Sequence, residues 1–111
     1  MALLAQVSSV AGQNTAVFVA PFDGVILRSV LVNNRDGSAT TFKLAFMRTL
    51  GDPASANWTH FDTPLPANDT YTYAPNGGLH LQNGATVVIN APTNTVNCHL
   101  FGDIVGQRPA T

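Results

Sequence analysis

Catalysis in this sequence would have to start from His60-Phe61-Asp62, which spaces an imidazole and a carboxylate so that both fall on one side of a strand. That spacing could orient a general base. A nucleophile would also have to be placed, however, and no Gly-x-Ser-x-Gly elbow or equivalent is present, so the pair reads as solvent-facing or interfacial. His80 and His99 complete a set of three histidines with no close i, i+2 or i, i+4 partner, and no Asp-x-Asp-x-Asp run offers oxygen ligands at calcium spacing. No metal site is expected. Asp23, Asp36, Asp52 and Asp69 lie in turn sequences, where Asp bonds its own backbone.

Cys98 is the sole cysteine, which excludes an internal disulfide and a structural zinc site of the usual kind. On a face shared with Leu100 it is expected to be a small buried apolar residue. Trp58, Tyr71 and Tyr73, flanked by Asn57, Asn68 and Asp69, could form a sugar-stacking platform; the competing reading makes them core and interface aromatics. No glycine-rich phosphate loop is present, and a net charge of −1 with a pI near 6.2 supplies no electrostatic footprint for phosphate. Neither cofactor nor nucleic acid is expected.

The elements that would position these residues are strands. The chain has no Glu and a single Lys, Lys43, but many Thr, Val, Phe, Asn and Gly, a composition that suits pleated sheet and turns and predicts almost no helix. Val25 to Asn33 and Thr41 to Arg48 read as the two limbs of a hairpin around Asn34-Arg35-Asp36-Gly37-Ser38. Further strands are expected at 3–10, 15–20, 58–61, 70–73, 79–81, 86–90 and 97–105. Thr49 to Asn57 reads as an excursion loop between sheets, Pro64 and Pro66 as strand ends, and Gln82-Asn83-Gly84 as a tight Asn-Gly turn. Eight or nine short strands with frequent turns predict one all-β domain over 1–111, an antiparallel β-sandwich, with 1–14 an N-terminal strand or arm and 106–111 a polar tail.

Charged residues make up 10% of the chain, against roughly 25% in an average soluble domain. Burial against neighbouring subunits would account for the shortage, as would a neutral surface rich in Asn and Thr. On the first limb, alternation puts Val25, Leu27, Ser29 and Leu31 on one face and Ile26, Arg28, Val30 and Val32 on the other. Because Arg28 is not expected unpaired in a core, Ile26, Arg28, Val30 and Val32 are assigned outward; either a loop covers Ile26 and the two valines, or the four form the candidate subunit interface. No run of about 18 apolar residues is long enough for a membrane span, and Met1-Ala2-Leu3-Leu4 lacks the features of a signal peptide, so synthesis in a cytoplasm is expected.

The order of these segments resembles the small β-sandwich proteins of tailed-phage virions. The residues that carry the likeness are VILRSVLVNN at 25–34 before a small polar turn and ATTFKLAFMR at 39–48, GGLHLQNGATVVINA at 77–91, and Gly102-Asp103-Ile104 within the final strand. Ala85 departs from the pattern, standing where such chains often carry an acidic residue. The resemblance spans roughly 15–105 and implies a jelly-roll-like fold and a virion role. Such proteins serve as capsid decoration (cement) proteins, commonly trimeric, or as neck, baseplate and fibre components. The implied partners are further copies of this chain, as a homotrimer, and the major capsid protein. Leu3, Leu4, Val7 and Arg108 are the candidate capsid contacts. A carbohydrate-binding module using Trp58, Tyr71 and Tyr73 is the alternative from a different class, and an enzyme is not expected.

Overall fold

The computed structural model describes residues 2–21, 24–48, 53 and 57–104. They contain nine strands: β1 (Ala2–Ser8), β2 (Thr15–Val19), β3 (Val25–Asn34), β4 (Thr40–Met47), β5 (Trp58–Leu65), β6 (Thr70–Tyr73), β7 (Leu79–Leu81), β8 (Thr86–Asn90) and β9 (Val96–Ile104). One sheet has the order β1-β9-β3-β6, with β7 also paired to β3, and the other has the order β2-β8-β4-β5. All pairings are antiparallel.

The pairs nest. β1 lies against β9, β2 against β8, β3 against β6 and β7, and β4 against β5, the path of one long hairpin closed between β4 and β5 and rolled into two sheets. Two-sheet wrapping of this kind is a jelly roll, and the fold is an all-β sandwich. Val25, Leu27, Val30, Val32, Cys98 and Leu100 from the first sheet meet Phe42, Leu44, Val87 and Ile89 from the second, all fully buried.

Two expected hairpins are corners instead. β3 and β4 lie in different sheets, so the chain at 35–39 arches across the sandwich. Asn34 makes that arch possible. Its side chain is fully buried, with Nδ2 donating to the carbonyls of Ser38 (2.8 Å), Pro66 (3.3 Å) and Leu65 (3.4 Å), and Oδ1 accepting from Asp36 N (3.1 Å) and Thr95 Oγ1 (3.2 Å). One amide thereby ties the β3–β4, β5–β6 and β8–β9 connections together at one end of the sandwich. The Asn83-Gly84 turn likewise carries β7 of one sheet into β8 of the other. Of the two residues only Gly84 has positive φ (85°), whereas a type I′ hairpin turn requires it at both.

Two other expectations need revision at β5. Pro64 does not end the strand but sits within it opposite Thr41, tolerated because β5 is the sheet edge and no ladder N–H is needed on its open side. Segment 49–57 joins two strands of the same sheet and is not an excursion between sheets; most of it lies outside the described residues.

The outward assignment of Val30 and Val32 is also corrected. β3 pairs with β9 with a register shift between Leu27 and Ser29, a bulge at Arg28 that inserts one residue and reverses the alternation. Val25 and Leu27 point inward before it, and Val30, Val32 and Asn34 point inward after it, all at 0% exposure. Gly102 lies opposite the bulge, where a Cβ would collide with the Ile26 carbonyl oxygen. Only glycine lets β9 pass this close, which gives Gly102 in the sequence motif a structural reason.

Candidate functional site

The bulge at Arg28 builds an outer face on the β1-β9-β3-β6 sheet that simple alternation does not describe. Residues directly opposite share a face. Leu3 lies opposite Phe101, Gln6 opposite His99, and Ser8 opposite Asn97. Across β9, Phe101 is opposite Ser29, His99 opposite Leu31, and Asp103 opposite Ile26. His80 and Thr72 extend the face beside Ile26 and Leu31. Leu3 is 50% exposed and Ile26, Leu31 and Phe101 are half-buried, so apolar side chains run across three strands within a polar border that carries one ion pair.

That border is internally bonded. Ser8 Oγ donates to Asn97 Oδ1 at 2.7 Å, and Asn33 Nδ2 donates to Thr70 Oγ1 at 2.9 Å. Arg28, turned outward by the bulge, donates from Nε to Asp103 Oδ2 at 3.1 Å and reaches the Gly77 carbonyl at 3.5 Å. Its hydrogen bond holds the Asp103 carboxyl below the usual carboxylate range. Both side chains are more than two-fifths exposed, so the pair orients the face and adds little to stability.

Of the candidate interface residues, Ile26 and Arg28 are on this face and Val30 and Val32 are in the core. Of the candidate capsid contacts, Leu3 points outward, whereas Leu4 and Val7 pack against the core from β1, which is a paired strand and not a free arm. Arg108 lies outside the described residues, as does the tail 106–111. Leu31 and Phe101 are the residues that sequence reasoning missed. Leu31 was assigned inward by alternation, and the one available signal was Gly102, a strand glycine of the kind that marks a bulge or a close backbone approach.

The other candidate constellations separate. His60 and Asp62 were expected on one side of a strand, but β5 carries two register shifts and Asp62 sits at a φ of 49°, so the two side chains diverge. His60 points into the seam between the sheets. Thr59 Oγ1 donates to the Leu44 carbonyl (3.0 Å) and therefore accepts from His60 Nδ1 (3.1 Å), leaving Nε2 to accept from Tyr71 Oη at 3.1 Å. Tyr71, Tyr73, Phe42 and His60 form an aromatic cluster closing this side of the sandwich, and burial lowers the His60 pKa.

Asp62 instead faces Lys43 at 3.9 Å, and the Lys43 ammonium lies 4.4 Å over the Phe61 ring. Trp58 covers Ala45, Met47 and Val88 on the outer face of the second sheet, edge-on to Phe61 at 6.2 Å. The sugar platform of Trp58, Tyr71 and Tyr73 is therefore not assembled: Trp58 is on an outer face and both tyrosines pack against the core. Cys98 is fully buried, and desolvation pushes its thiol up to about 12. Among the described residues no group of three potential metal ligands gathers, and no helix is long and apolar enough to cross a membrane.

No family model matches the chain. No curated protein matches it significantly. The solved structure of the Tobacco streak virus coat protein is similar at a TM-score of 0.37, with 10% identity, over 99% of this chain and 88% of that one. A likeness this loose bears no weight for fold or function, which rest on the strand topology and the side chains described above.

Proposed function

We propose that this chain is a structural component of a tailed-phage virion, a decoration protein that self-associates, as a trimer, and binds the outer capsid lattice to stabilise it. Its action is binding, without turnover. The observation that carries the reading is the outer face of the β1-β9-β3-β6 sheet, where Leu3, Ile26, Leu31 and Phe101 form an apolar patch with one ion pair on a chain of low charge. A patch of this composition suits a permanent protein contact. The sequence resemblance to phage β-sandwich proteins supplies the virion context, and the jelly-roll topology agrees with it. The partners are then further copies of this chain and the major capsid protein.

The test has two parts. Wild-type protein should sediment as a trimer, and Leu31→Asp should sediment as a folded monomer; a wild-type monomer, or an unchanged oligomer in Leu31→Asp, contradicts the assignment of this face. Purified protein should also rebind capsids stripped of it. Failure to rebind, with the oligomer intact, removes the decoration role and favours a neck, baseplate or fibre component.

A further inference from the structure

Two Asn-Gly pairs, Asn76-Gly77 and Asn83-Gly84, sit in turns of the same build. In the first, Gly78 N donates to the Pro75 carbonyl at 2.9 Å and Gly77 has a φ of 80°. In the second, Ala85 N donates to the Gln82 carbonyl at 2.9 Å and Gly84 has a φ of 85°. Both asparagines are exposed. The turns differ in what holds the glycine nitrogen. Gly84 N donates to the Ala20 carbonyl at 3.1 Å, which fixes it against the second sheet, whereas no acceptor among the described residues holds Gly77 N.

We propose that Asn76 is a site of spontaneous deamidation and that Asn83 is protected. The reaction needs only water. The Gly77 backbone nitrogen, losing its proton to solvent base, attacks Asn76 Cγ; the new C–N bond closes a five-membered succinimide and the amide nitrogen leaves as ammonia. Water then opens the ring at either carbonyl, giving aspartate or isoaspartate at position 76. At Asn83 the same attack requires Gly84 N to break its bond to Ala20 and turn toward the side chain. A Cβ would meet nothing within 4 Å at Gly77, so the backbone there has room to rotate. At Gly84 a Cβ would meet only the Arg48 carbonyl, at 3.8 Å, so space does not separate the two turns and the bond from Gly84 N to Ala20 does.

The product has a local consequence. The guanidinium of Arg28 already reaches the Gly77 carbonyl at 3.5 Å, so a carboxylate at position 76 competes with Asp103 for it.

Native protein held at mildly alkaline pH and mapped by peptide mass spectrometry tests the proposal. Deamidation at position 76 should exceed that at 83 by about tenfold, the rate equivalent of breaking one hydrogen bond first. In urea, where neither turn persists, the two sites should convert at comparable rates. Equal native rates, faster conversion at 83, or a preference for 76 that survives in urea would each overturn it.

Discussion

Replacing Asn34 with alanine removes the tie between three connections of the sandwich, and the structure sets the size of the effect. Asn34 is fully buried, its two amide protons are shared among three carbonyls, and its oxygen serves two donors. The contacts to Ser38 O, Asp36 N and Thr95 Oγ1 are the short ones, at 2.8, 3.1 and 3.2 Å. At about 1 kcal/mol net per bond they contribute roughly 3 kcal/mol, and partners stranded in a buried site raise the loss to about 3–5 kcal/mol. For a domain of this size that corresponds to a fall in Tm of roughly 12–20 °C. Urea unfolding should show the midpoint falling with the slope unchanged. Asn33→Ala is the internal control, since its bonds to Thr70 and the Asp69 carbonyl are exposed, and it should cost less than about 0.5 kcal/mol. An Asn34→Ala loss under about 1 kcal/mol, or one equal to that of Asn33→Ala, would refute the tie.

Gly102→Ala should destabilise by about 1–3 kcal/mol in the same assay, because the new Cβ meets the Ile26 backbone, while Gly37→Ala, with open space around it, should be near neutral. His60 is held neutral by burial, so its folded pKa lies below the ordinary 6.5. Its contribution is present above that value and declines as pH falls through the folded pKa; wild-type stability should drop on acidification from about pH 7 to 5, with a smaller drop in His60→Gln. Cys98, with its thiol pushed up to about 12, should resist alkylation in the native protein and react at the rate of unfolding; fast labelling would show that β9 opens locally.

Strand positions were legible in the sequence because β-branched and aromatic runs are bounded by Gly, Pro, Asn and Asp, and the absence of Glu left little to build a helix. Pairing was not. β3 and β4 are both strands close to where the sequence places them, but whether the turn between them returns to the same sheet or arches to the other depends on a buried amide bonded to carbonyls at 65 and 66, far along the chain. The candidate site failed on a single inserted residue. A bulge carries no side-chain signature on its own strand, so alternation put Val30 and Val32 outside and Leu31 inside, the reverse of their places. The same cause separated His60 from Asp62. Trp58 and the two tyrosines lie near one another in sequence but on opposite faces of different sheets, which only the rolled topology reveals.

The central claim, that this chain decorates a capsid, is tested most directly by its copy number in purified particles, measured by quantitative mass spectrometry against the major capsid protein. The account predicts a copy number on the scale of the capsid subunits themselves. A copy number on the scale of a tail or neck ring, or absence from the particle, would contradict it.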